Sequence, residues 1–397
     1  MATVIRLPHA PRDPFAVRLA TVYAGLFLFN GIQMPYLPAW LAGRGLDARE
    51  IGIVLAVPML ARILAVPLAT RLIDRHAEAE TAAAVAATLA AAAYAVMGFA
   101  HGFAAILAVY AAISVLSSPV LPLTDSLGLR GLKARGLAYG PVRLWGSVAF
   151  IVANLGGGAV LGAWGAGALV WALTAAMAAT AAAAWRLPRS ADGGADGGRA
   201  AARTSIGSGL WRFPAFVATV VGASLIQASH AVLYGFATLQ WTGKGIGGTA
   251  IGLLWALGVV AEIVLFAASA RIIARLGGAN MILIGGLGAV VRWTAMGFDP
   301  PVLMLPALQL LHALSFGATH LGAMDMLSQL AHRRGGATAQ GDFAAVQGGT
   351  FAVAMGASGG LVAAFGSAAY FAMAAIAAAG FAIALGARRA TRGSYPS

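Results

Sequence analysis

Apolar runs of about 18 residues or more recur along the whole chain, separated by short connections marked by charge, Gly or Pro. Read as windows, they predict twelve spans at 18–41, 50–72, 81–99, 103–125, 140–162, 166–186, 213–240, 248–270, 279–297, 302–323, 342–362 and 366–386. At about 1.5 Å per helical residue, each can cross a hydrocarbon core of about 30 Å, the shorter ones with help from their flanks. Between the sixth and seventh runs lies "RLPRSADGGADGGRAAARTSIGSG", residues 186–209, whose Gly, Ala and mixed charges read as a flexible tether. It divides the chain into a bundle over 1–187, a cytoplasmic linker over 188–211 and a second bundle over 212–397. The expected fold is an all-α membrane protein of twelve transmembrane helices in two pseudo-symmetric six-helix bundles around a central path.

Composition supports the same class. Of 397 residues, 60% are hydrophobic and 10% charged, against roughly 25% charged in an ordinary soluble domain. The net charge of +13 does not describe a nucleic-acid surface, because the basic residues sit in short connections. With the N-terminus placed in the cytoplasm, twenty Lys and Arg fall in inside segments, while only Arg44, Arg49 and Lys244 fall outside. That bias orients the chain with both termini cytoplasmic in a bacterial-type inner membrane. The absence of Cys removes disulfides and thiolate chemistry. Residues 1–17 carry Arg6, Arg12 and prolines with no separate apolar h-region, so no signal peptide is expected.

The charges inside the runs carry the chemistry, since an isolated charge in hydrocarbon costs about 2.5–3.5 kcal/mol even on insertion scales. Asp125, at the end of the fourth run, and Arg143, at the start of the fifth, are placed together near the cytoplasmic mouth. They form either a fixed ion pair or a site where Arg143 takes an anionic group of the solute. Arg292 lies two thirds of the way outward along the ninth run, His312 near the middle of the tenth, and Glu262 in the inward half of the eighth. A spread of about 10 Å in depth means that direct Glu262–Arg292 contact requires helix tilt, a water or a long side-chain reach. A carboxylate alternating between a shielded environment and an Arg neighbour can take up and release a proton, which is one reading of Glu262. A constitutive charge pair is the other. Ser315, a turn from His312, can share its polar face, whereas His320 reads as packing or capping.

Gln227, His230 and Tyr234 form a stripe that is either a pathway wall or packing. Tyr23, Phe27, Asn30 and Met34 share a face of the first run, suited to helix packing or to an amphipathic organic molecule. Small residues four apart at Gly158–Gly162 and Gly356–Gly360 allow close helix approach. No metal-ligand spacing, nucleophile elbow or phosphate-binding glycine loop occurs, so neither a metal, a cofactor nor enzymatic catalysis is expected. Energy must come from a gradient, a partner or the solute itself.

The segments "SSPVLPLTDSL" (117–127), "YGPVRLWGSVAFI" (139–151), "LLWALGVVAEIVLF" (253–266), "VVRW" (290–293) and "LLHALSFGATHLGAMDML" (310–327) resemble, as a set, the major facilitator superfamily. Within it they are similar to the 3-phenylpropionate transporter family, relatives of lactose permease. The resemblance implies proton symport of a small organic solute by rocking of two six-helix bundles. It also implies Asp125, Arg143, Glu262, Arg292, His312 and His320 as functional positions. Ser315 stands where the sugar permease has its proton-carrying glutamate, and Glu262 is about one turn out of register with another. Asp325 departs from the family's basic pattern and is expected to pair with a loop arginine. In "LATRLIDRHAE", Asp74 and Arg75 resemble the superfamily's loop between spans two and three, lacking its leading glycine and trailing basic pair. With Arg62 nearby they form either a gating relay or a topology anchor. The expected function is monomeric, proton-coupled import of an aromatic monocarboxylate; proton-driven export of drugs or metabolites and a non-transporting receptor are the alternatives.

Overall fold

The computed structural model describes residues 13–61, 79–188, 209–331 and 336–393. Among these, twelve long helical segments, termed the first to twelfth spans, succeed one another: Pro14–Gly43, 48–61, Ala79–Met97, Phe103–Ala134, Tyr139–Trp164, Ala166–Trp185, Pro214–Gly243, Gly248–Ala267, Gly278–Gly297, Val302–Leu330, Gly336–Phe365 and Ala369–Gly393. The described part of the second ends before Arg62, and Asp74 and Arg75 also lie outside the described residues.

Local chemistry sets several helix ends. Asp13 caps the first span by accepting from the Phe15 and Ala16 N–H groups, and Pro14 occupies the first turn, where its missing donor costs nothing. Pro35 and Pro38 lie inside that helix and do not end it. The fourth span continues to Ala134, well past the expected end at 125. Asp125 therefore lies about 13 Å in from the helix end, not at the mouth. Arg143 is likewise one turn inside the fifth span. Beyond the eighth span, the short helix Ser269–Leu276 carries Arg271 and Arg275.

The inferred repeat is visible in the packing. The first span lies against the fifth and sixth, as the seventh lies against the eleventh and twelfth; the third meets the sixth as the ninth meets the twelfth. Between the halves, the fifth span packs on the eighth, and the first on the C-terminal half of the seventh. Gly158 and Gly248 bring two backbones together, and a Cβ on Gly252 would stand 2.7 Å from the Asn154 carbonyl oxygen. On the opposite side, a Cβ on Gly52 would stand 2.9 Å from the Gly359 nitrogen. These four contacting spans meet at the end of the molecule away from the termini, so the halves are sealed there.

Candidate functional site

Exposure along the eighth span separates two faces. Leu253, Val260 and Val264 are exposed and fall within about 40° of one another around the helix axis. Glu262 points about 180° away from them. Its carboxylate is thus turned from the lipid-facing stripe toward the tenth span, where Glu262 Oε2 lies 3.4 Å from His312 Nε2. Leu253, Val260 and Val264 carry the hydrophobic face that lets an acid be tolerated on the other.

Behind His312 stands Arg292, on the ninth span and fully buried at 0% exposure. Its Nη1 donates to His312 Nδ1 and to Ser315 Oγ, both at 3.2 Å, and its Nη2 donates to Gln309 Oε1 at 2.9 Å. The guanidinium also stacks 4.6 Å over the Trp293 ring. Its Nε has no protein partner, and no carboxylate lies within ion-pair distance of Arg292 among the described residues. Glu262 and Arg292 are joined by neither tilt nor reach: the His312 ring bridges them.

Ser315 sits in a π-helical turn, Ala313–Ala318, within the tenth span. The wider turn carries an extra residue and brings Gln309, His312 and Ser315 onto one guanidinium. Glycines make room for it, since a Cβ on Gly288 would lie 2.9 Å from Leu314 Cβ.

His230 lies in a break of the seventh span, where Ser229 Oγ donates back to the Ile226 carbonyl. Its Nδ1 is 3.1 Å from the Gln227 carbonyl and its Nε2 3.1 Å from Ser315 Oγ. Gln227 Nε2 donates to the Phe316 carbonyl. Both residues are buried, so they stand behind the wall, supporting Ser315 and the π turn. Tyr234 is the partly exposed member of that stripe. Its ring packs against Trp255, Phe351 and His312. His320 stacks on Phe316.

In the N-terminal half, Tyr23 and Tyr139 both donate to Asp125 Oδ1, at 2.7 and 2.8 Å. Arg143 Nε lies 3.9 Å from the same oxygen, with the two side chains 29% and 36% exposed. Its guanidinium rests 4.0 Å over the Phe27 ring and 5.2 Å over Tyr23. Asp125 is thus held by phenols more closely than by its arginine, which leaves the Arg143 fork open. Asn30 Nδ2 donates to the Leu26 carbonyl of its own helix.

Asp325 lies apart from both clusters. It accepts from the Gly278 N–H and from Gln329 Nε2, so its carboxylate caps the start of the ninth span in place of the loop arginine expected. Tyr139 and Gln309 escaped the sequence reading. Tyr139 is four residues before Arg143 and Gln309 three before His312, so helical spacing from a known charge would have found each. Among the described residues, no cluster of His, Cys, Asp and Glu could hold a metal ion.

Comparison with known proteins places this geometry among transporters. Residues 16–373 match the model of the MFS_1 like family. Over 310 residues the chain is 32% identical to an Escherichia coli (strain K12) protein described as "Probable 3-phenylpropionic acid transporter", covering 77% of this chain and 80% of that one. Over 327 residues it is 28% identical to the maltose permease of Geobacillus stearothermophilus, covering 82% of each. In fold it is similar to the nucleoside transporter NupG, with a TM-score of 0.79 at 16% identity over 97% of this chain and all of that one. It is also similar to an inward-facing bacterial homologue of the lysosomal transporter Spinster, with a TM-score of 0.73 at 14% identity over 97% of this chain and all of that one.

Proposed function

The chain belongs to the MFS_1 like family of the major facilitator superfamily, and from that premise we propose that it imports a small aromatic monocarboxylate together with a proton. Membership makes it a secondary active transporter of small organic solutes across a membrane, a class without catalysis. The observation that carries the proton coupling is Glu262: a carboxylate inside a span, turned from lipid, with a histidine ring nitrogen 3.4 Å away. A side chain in that position can change charge as its access alternates between the two sides of the membrane.

The solute class draws on the 32% identical relative, whose name gives 3-phenylpropionic acid. Phe27, Tyr23 and Tyr234 supply ring surfaces for an aromatic body, and Arg143, with its fork open, adds a cation beside Phe27 and Tyr23. Sealed contact at the end away from the termini, combined with the Lys and Arg bias, corresponds to a state open to the cytoplasm. In this reading a monomer works as two bundles, 1–187 and 212–397, rocking about the solute in an inner membrane with both termini cytoplasmic.

The test is uptake of labelled 3-phenylpropionate into proteoliposomes. An inwardly directed pH gradient is expected to drive accumulation above the equilibrium level. Uptake indifferent to the gradient would defeat the symport reading. Efflux against a gradient from right-side-out vesicles would favour export.

A further inference from the structure

Arginine has only donors, so the 3.2 Å approach of Arg292 Nη1 makes His312 Nδ1 an acceptor. The single ring proton of His312 is then on Nε2, the nitrogen that lies 3.4 Å from the Glu262 carboxylate. Arg292 also donates to Ser315 Oγ, which lies 3.1 Å from His230 Nε2. A carbonyl only accepts, so His230 Nδ1 donates to that of Gln227. Because arginine can only donate, hydrogen bonding assigns His312 a neutral form.

Charged and titratable groups face His312 from several elements. The eighth span presents Glu262, the ninth Arg292, and the seventh His230 and Tyr234. The tenth adds Gln309, Ser315 and Phe316, with His320 stacked beyond Phe316. The eleventh contributes Phe351, against Tyr234. With the histidines neutral, one acid and one guanidinium remain and their charges balance. A proton added to Glu262 alone leaves Arg292 uncompensated in a buried site; an anion added alone leaves a surplus negative charge. Loaded together, they restore neutrality, which makes each a condition for the other.

Resting on the symport reading, we propose that the solute's carboxylate takes the place of that of Glu262 beside His312 Nε2 and accepts its N–H, so that one proton and one monoanion cross together without net charge. The proton taken from solution ends on a Glu262 carboxyl oxygen, and no other bond forms or breaks. His312 holds its proton throughout, polarised from behind by Arg292. It is a polarised donor and not a proton carrier.

The experiment uses the purified, reconstituted full chain and labelled 3-phenylpropionate, with pH and electrical gradients imposed separately. Accumulation is expected under the pH gradient, while a potassium–valinomycin potential of either sign changes the initial rate less than about twofold. Uptake driven by the pH gradient and also raised severalfold by an inside-negative potential would overturn electroneutrality and leave symport standing. Uptake that answers to neither gradient would overturn symport, and this proposal with it.

Two variants separate the roles. By tryptophan quenching, the apparent Kd of wild type should weaken with rising pH by up to about tenfold per unit, while Glu262→Gln binds independently of pH. A folded Glu262→Gln that keeps the wild-type pH dependence would overturn the assignment. Independently, His312→Gln offers one acceptor and one donor but cannot titrate. It should keep pH-driven uptake within about tenfold of wild type, whereas loss of pH drive in this variant would make His312 the carrier.

Discussion

Arg292 is held by three neutral acceptors, on Gln309, Ser315 and His312, and that neutrality is what leaves its charge available. Gln309→Glu would put a carboxylate about 2.9 Å from the guanidinium, at the distance Gln309 Oε1 now occupies. The expected result is a protein with a higher melting temperature and kcat/KM reduced by at least about tenfold, because Arg292 then has a permanent counter-ion. Thermal melts and uptake kinetics on the same preparation check both halves. Across the central space, Tyr139→Phe removes one of the two phenol bonds to Asp125. A loss of about 1 kcal/mol in stability is expected for this half-exposed acceptor, measured as a lowered melting temperature. The residue types at these positions were legible in the sequence, since a charge inside an apolar run has few neutral explanations. Their partners were not: Tyr139 and Gln309 carry no charge and look like ordinary members of their helices until three-dimensional proximity gives them a role.

At the scale of elements, the π turn in the tenth span and the glycine contacts between the halves are the two features on which movement depends. Deleting Ala313 would return Ala313–Ala318 to α-helical winding and bring Ser315 one residue closer along the chain to His312, changing its direction relative to that ring. Ser315 would leave Arg292, and transport should be lost while the protein remains folded and inserted, as gel filtration in detergent can establish. The fifth and eighth spans offer the complementary test. Gly252→Val would force atoms against the Asn154 carbonyl, where even a Cβ stands at 2.7 Å, and hold that end apart. A cysteine introduced at Gly146, in a chain that has none of its own, should then become reactive from the outer face. Apolar runs marked the existence of these helices, but not the π turn, because winding depends on the room a neighbouring helix leaves. The fourth span shows the same limit. Its amphipathic continuation from 126 to Ala134 is too polar to read as membrane-spanning, yet it stays helical against its neighbours and carries Asp125 inward.

For the whole molecule, orientation is the property most open to direct measurement. Single cysteines at Gly136 and Gly245, in turns at opposite ends of the molecule, should be labelled by an impermeant thiol reagent from the cytoplasmic and outer sides respectively. The reverse pattern would overturn the orientation drawn from Lys and Arg counts. The bundle boundaries predict that 1–187 and 212–397, expressed as separate chains, assemble and transport, since each half packs its own six spans. The number and order of the spans were determined by the sequence alone, because a bilayer demands apolar runs long enough to cross it and no other part of the chain has to agree. The bridge from Glu262 through His312 to Arg292 was decided only by tertiary structure. Three helices far apart in sequence must cross at particular depths before a carboxylate, an imidazole and a guanidinium can line up, and periodicity along one helix holds no information about where another will cross it.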